Sequence, residues 1–137
     1  MKKILILAGG YSKEKEISIQ TAKSVLSELN KGKKHILKVV NPDGQFIKVL
    51  RKFKPNVVLN LLHGRYGEDG YIQAILESEK VKYTHSGVLS SSQAIDKEIS
   101  KKIYIKNKIL TPKYLKFSFK KKINNKRFSR QLEKNIG

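Results

Sequence analysis

The sequence contains no cysteine. That excludes a disulfide framework, a thiolate nucleophile and a cysteine zinc site. It also lacks any apolar stretch approaching the roughly 20 residues that cross a bilayer. The run behind the basic start Met1-Lys2-Lys3 extends only from Ile4 to Ala8 before Gly9-Gly10 stops it, too short for a signal peptide. A cytoplasmic protein with no membrane association is the expectation. Acidic side chains are scarce, 11 against 30 Lys+Arg, for a formal net charge of +19. Apolar residues make up 39%, below the usual globular share.

What is present is unevenly spread. The length, 137 residues, suits about one ordinary domain. Lysine outnumbers arginine 26 to 4, a bias that an A/T-rich coding sequence and a polyanionic partner would both produce. Residues 1–96 carry 16 basic and 9 acidic side chains, whereas residues 97–137 carry 14 and 2. That shift marks a boundary near residue 96.

Ile4 to Ala8 reads as a strand covered on both faces. From Ile17 the apolar residues Ile19, Ala22, Val25, Leu26 and Leu29 recur at steps of three and four, one face of a helix. Lys31 and Gly32 end it. His35 to Val40 reads as a second strand, Asn41-Pro42-Asp43-Gly44 as a turn, and Phe46 to Leu50 as a short helix broken by Pro55. Asn56 to Leu62 is a third buried strand, Tyr71 to Glu79 a helix, and Val81 to Thr84 a fourth strand. Ser86 to Ala94 is a small-residue segment, and Asp96 opens a lysine-rich helix to about Lys108. Tyr114 to Phe119 reads as a strand, Lys120 to Arg127 as a polar loop, and Phe128 to Asn135 as a final helix. No internal repeat interrupts this order. Strands alternating with helices predict an α/β fold, an open parallel sheet with flanking helices. Ligands of such sheets sit beyond the carboxyl ends of the strands.

Two glycine-rich loops follow strands one and three. The first, Gly9 to Ser18, is not GxGxxG, and no acid ends strand two where a ribose partner would stand, so it argues against a dinucleotide. Its glycines turn the chain and expose amides at a helix start, which favours an anion. Its carboxylates Glu14 and Glu16 either offset the helix dipole or hold a substrate ammonium. The second loop is His63-Gly64-Arg65-Tyr66-Gly67-Glu68-Asp69-Gly70. His63 there is either a structural cap or a polarising group, while Glu68 and Asp69 suit the start of the next helix. Farther on, Asp96 is a plausible N-cap. Lys97 in the first turn opposes the dipole, which a nearby phosphate would explain. His35 and His85 are isolated, and no spacing reads as a metal site. Lys120-Lys121-Lys122 with Phe117, Phe119 and Phe128 would suit single-stranded nucleic acid, but a lysine-rich surface is the simpler reading.

Four stretches, ILAGGYSKEKEIS (6–18), LHGRYGEDGYIQAILE (62–77), YTHSGVLSSSQAIDKEISK (83–101) and LTPKY (110–114), resemble the amino-terminal part of the D-alanine–D-alanine ligase family. The HGRxGEDGxxQ stretch is the most specific. The resemblance runs in register from residue 2 to about 117. It implies a Rossmann-like pre-ATP-grasp domain over residues 1–95 and the start of an ATP-grasp domain over 96–137. It implies an ATP-dependent ligase of peptidoglycan synthesis, homodimeric in full-length form, acting on D-alanine and ATP with Mg²⁺. By the same resemblance Glu14 binds the ammonium of the first D-alanine, His63 orients that substrate, and Gly9, Gly10 and Ser86-Gly87 shape the pocket. Lys97 is directed at the ATP phosphates, and Lys101 matches a basic family position. His85 departs from the family, which has glycine there. The metal ligands and most of the nucleotide pocket belong to the family's later part, so the 137-residue chain alone is expected to be inactive. The alternative is a non-catalytic basic module for nucleic acid or another polyanion, whose binding would weaken steeply with salt.

Overall fold

In a computed structural model, residues 1–32, 34–116 and 125–136 are described. The chain divides into two compact units, Met1–Ile95 and Asp96–Gly137. The first holds β1 (Lys2–Leu7), α1 (Lys15–Lys31), β2 (His35–Val40), α2 (Phe46–Phe53), β3 (Val57–Asn60), α3 (Tyr71–Ser78) and α4 (Val88–Ile95). The second holds α5 (Lys97–Lys106) and α6 (Asn125–Ile136).

The strands form a parallel sheet in the order β2-β1-β3. β1 is central: Leu7 lies opposite Val40 on one side and Asn60 on the other. Its carboxyl-terminal half is covered on both faces, and Leu5, Ile6 and Leu7 are fully buried. Alternate residues then serve two cores. Leu5 and Leu7 join Phe46, Leu50, Val58, Ile72 and Leu76 from α2, β3 and α3. Ile6 and Ala8 join Ala22 of α1, flanked by Leu26, Leu29, Leu59 and Leu61. The sheet is thus the middle layer, with α1 on one face and α2 and α3 on the other. β2 is an edge strand and leaves Ile36 and Val39 exposed.

Several elements depart from expectation. The fourth strand reduces to one parallel bridge, Val58 to Tyr83. Val58 N–H donates to Lys82 O and Thr84 N–H to Val58 O, but the next amide, Asn60 N–H, goes to the Thr84 side-chain oxygen. A side chain has replaced the next ladder bond, and the pairing stops there. The small-residue segment winds into α4, with Ser91 buried and its hydroxyl donating to Ser86 O at 3.1 Å. α2 runs on to Phe53, where Lys54 turns left-handed before Pro55. Tyr114 to Lys116 are irregular rather than strand, and α6 starts at Asn125, ahead of the expected Phe128. The rest of that expected strand and most of the loop after it, including Phe117, Phe119 and Lys120 to Lys122, lie outside the described residues.

Candidate active site

The order β2-β1-β3 leaves a switch point between β1 and β3, because the chain leaves the two strands toward opposite faces of the sheet. A crevice at the carboxyl ends of such a pair is where open α/β sheets bind ligands. Both glycine-rich loops end there.

The first loop is fixed by its neighbours. Gly9 and Gly10 have φ of +93° and +82°, a region where a Cβ is strained. Gly9 N–H donates to Ser18 Oγ at 2.9 Å, and Gly10 N–H donates to Asn41 Oδ1 at 2.8 Å. These two amides are therefore spent inside the protein and do not form the expected anion cradle. Ser18, fully buried, passes its own hydroxyl hydrogen to Leu61 O at 2.6 Å. One side chain thus ties the ends of β1 and β3 to α1. Neither Ser18 nor Asn41 stood out in the sequence. Ser18 looks like any polar helix residue, and Asn41 like the first residue of a turn.

The second loop folds on its own carboxylates. Glu68 Oε2 accepts from Gly64 N–H at 2.7 Å, and Asp69 accepts from Tyr66 N–H and Tyr71 N–H at 2.9 and 3.1 Å. Both acids are occupied by backbone donors, but only Asp69 reaches the start of α3, at Tyr71 N–H, while Glu68 closes its own loop instead of serving the helix. The loop is closed further by Glu68 N–H donating to Gly64 O at 2.9 Å.

These two loops meet. Glu14 is the N-cap of α1 but makes no side-chain capping bond. Its carboxylate lies against Gly64, so that a Cβ there would collide with Glu14 Oε2. Ser12 links the same loops: its hydroxyl donates to His63 O at 2.7 Å and accepts from Glu14 N–H at 3.1 Å. Glu14 is exposed, and no cation among the described residues pairs with it. An exposed carboxylate with no ion-pair partner among the described residues can accept a charge-assisted hydrogen bond from a small ammonium. Glu16 lies in the first turn of α1, exposed, where its charge offsets the dipole.

His63 is half-buried, and its Nε2 lies 3.4 Å from Thr21 Oγ1. Thr21 gives its own hydrogen to Ile17 O at 2.9 Å, so toward His63 it can only accept. This contact supports a hydrogen on Nε2. A pocket of about 520 Å³ opens at this end of the sheet, lined among others by Gly9, Gly10, Leu62, His63, Arg65 and Tyr66. Glu14 and Ser86 do not line it. Ser86 is exposed, and its carbonyl receives the Ser91 hydroxyl.

In the second unit, Asp96 caps α5, accepting from Glu98 N–H at 2.9 Å and Ile99 N–H at 3.0 Å. Lys97 is exposed in the first turn, with no ion-pair partner among the described residues. Lys101 is engaged instead, donating to Thr111 Oγ1 at 2.9 Å and Pro112 O at 2.6 Å. Glu98 is held down to about 2 by hydrogen bonds from Lys102 and Lys116.

A parallel sheet of this order, with glycine-rich loops after β1 and β3, makes this an open α/β protein with a ligand crevice at the strand ends, a fold that solved D-alanine–D-alanine ligases share. It is similar to the D-alanine–D-alanine ligase of Pelagibacter ubique, with 58% identity over 98% of this chain and 43% of that protein. The ligase of Carboxydothermus hydrogenoformans is 38% identical over 95% of this chain and 41% of its own length. A solved structure of the Bacillus anthracis D-alanine–D-alanine ligase complexed with ATP superposes with a TM-score of 0.75 at 32% identity, over 95% of this chain and 44% of that one. The Coxiella burnetii ligase shares the fold, with a TM-score of 0.78 at 24% identity, over 98% of this chain and 50% of that one. No family model matches the chain. By these relatives it belongs to the D-alanine–D-alanine ligase family, spanning less than half the length of the curated members it matches.

Proposed function

We propose that the protein works as a D-alanine–D-alanine ligase, with this chain supplying the seat of the first D-alanine. The observation that carries the reading is the meeting of the exposed Glu14 carboxylate with Gly64, beside His63, in a chain 58% identical to such a ligase. Glu14 takes the ammonium of the first D-alanine. That fixes the amino acid so that its carboxylate faces the γ-phosphate of ATP. The carboxylate oxygen attacks that phosphorus, ADP leaves, and an acyl phosphate forms. The amine of the second D-alanine then attacks the acyl carbon, phosphate leaves with the bonding pair, and the amine loses a proton. His63 stands beside the first D-alanine and orients it as charge develops. Gly9 and Gly10 keep the pocket open at the end of β1. Ser86, exposed and outside the pocket lining, has no role in this reading. Lys97, exposed and with no ion-pair partner among the described residues, serves as a point charge for the ATP phosphates.

Mg²⁺ is not assigned to this segment. Among the described residues there is no group of three or more His, Cys, Asp or Glu that could hold a metal ion. In this reading its ligands lie in the part of the relatives that the chain does not span. No described helix is long and apolar enough to cross a membrane. We place the enzyme in the cytoplasm, as a homodimer, at the peptide-forming step of peptidoglycan precursor synthesis. The basic-module alternative is not favoured, since the relatives found are ligases.

The test is a chimera. Residues 1–137 replace the matching segment of the Pelagibacter ubique ligase, and phosphate release is followed with ATP, Mg²⁺ and D-alanine. D-Alanine-dependent turnover is expected. A folded chimera that binds ATP but releases no phosphate on D-alanine would overturn the reading.

A further inference from the structure

Asn60, the last residue of β3, is buried and uses its amide in three directions. Its Oδ1 accepts from Leu62 N–H at 3.2 Å. Its Nδ2 donates to Gly67 O at 2.9 Å and stands 2.9 Å from His85 Nδ1. Because Oδ1 is committed as the acceptor, Nδ2 is the donor toward His85, and Nδ1 of that ring must accept. When it makes this contact the ring carries its hydrogen on Nε2.

Gly67 is a fixed point. Its carbonyl also accepts from the buried Gln73 Nε2 at 2.9 Å, and its Cα lies so close to Leu62 that a Cβ would collide. The loop it anchors begins at His63 and Gly64, the residues that meet Ser12 and Glu14. His85 itself has φ of +93°, a backbone unfavourable for a residue with a Cβ. A strained residue whose ring completes the bonding of a buried amide marks a position where the side chain matters.

We propose that His85 is a positioning residue. Its Nδ1 holds the Asn60 amide, and Asn60, through Gly67 O, keeps the His63–Gly70 loop seated against Glu14. The consequence for D-alanine rests on the ligase reading; the restraint on the loop does not.

Two substitutions separate the ring's bond from its backbone. His85→Gly fits the left-handed φ but removes the acceptor. His85→Asn tolerates that φ and keeps an acceptor, because Asn Oδ1 is bonded to Cγ as His Nδ1 is. In the 137-residue chain, in mildly alkaline buffer, the His85 ring nitrogens should show the Nε2–H tautomer by nitrogen NMR. Amide exchange at Gly67 and Glu68 should quicken roughly five- to tenfold in His85→Gly, the worth of one ordinary hydrogen bond, and return close to the original rate in His85→Asn. In the chimera, His85→Gly should raise KM for D-alanine by a similar factor of roughly five to ten while kcat moves less than about twofold, with rescue by His85→Asn. An Nδ1–H tautomer, unchanged exchange in His85→Gly, or an Asn variant as loose as the Gly variant would overturn the proposal. If the ring and exchange results hold while a folded chimera that binds ATP releases no phosphate on D-alanine, the positioning stands and the ligase reading falls.

Discussion

Glu14 and Glu16 stand two residues apart at one helix start, and sequence logic alone cannot rank them. The structure separates them by what each touches: Glu14 lies against Gly64 from a distant strand end, while Glu16 stays exposed in the first turn of α1. Ser18 is the opposite case, a residue with no visible signal that turns out to join three elements. Its function depends on two backbone groups, Gly9 N–H and Leu61 O, brought close only by the fold. Ser18→Ala should cost about 2–3 kcal/mol, since both groups lose a buried partner; chemical denaturation of the chain measures it. His63 was legible as a residue at a strand end. Its contact with Thr21 was not, because that partner is 42 positions away.

Among elements, those set by local chemistry were legible and those set by competition were not. The span expected for β2 matches that observed, and α1 and α3 lie within about two residues of expectation, because apolar spacing and end signals agree. The missing fourth strand turns on one hydroxyl, Thr84 Oγ1, which takes the Asn60 amide from the ladder. α5 was readable through its cap, and Asp96→Ala should cost about 1 kcal/mol by stranding the Glu98 and Ile99 amides. Helical signal lost on thermal melting checks this. Glu98 adds a pH dependence. Its carboxyl lies at about 2 against an ordinary 4.5, held by hydrogen bonds from Lys102 and Lys116. A depressed carboxylate contributes stability above its unfolded value and loses it as pH falls through the folded one. The contribution should therefore fade between about pH 4.5 and about pH 2. Glu98→Gln should flatten acid unfolding in that window. An unaltered acid profile in the variant would mean that these ion pairs contribute nothing.

At the scale of the whole molecule, β1 organises the first unit. It alone pairs with both other strands, and its alternate side chains enter both cores. Leu7→Ala should cost about 2–5 kcal/mol, whereas Ile36→Ala on the exposed edge should cost far less; paired denaturation curves show the contrast. The alternating strand and helix pattern was enough for the parallel α/β class. The strand order was not, since it depends on which side of β1 each crossover lands. Charge follows the same division between local and global. The +19 excess was plain in composition, yet the residues that give the site its character include a carboxylate with no ion-pair partner among the described residues.

The central claim is that this carboxylate seats the ammonium of the first D-alanine. The direct measurement is the D-alanine dependence of initial rates for the chimera carrying Glu14→Gln, beside the same chimera carrying Glu16→Gln. Loss of a charge-assisted bond predicts a rise of roughly 10- to 100-fold in KM for D-alanine in Glu14→Gln and almost no change in Glu16→Gln. Equal behaviour of the two variants would contradict the account.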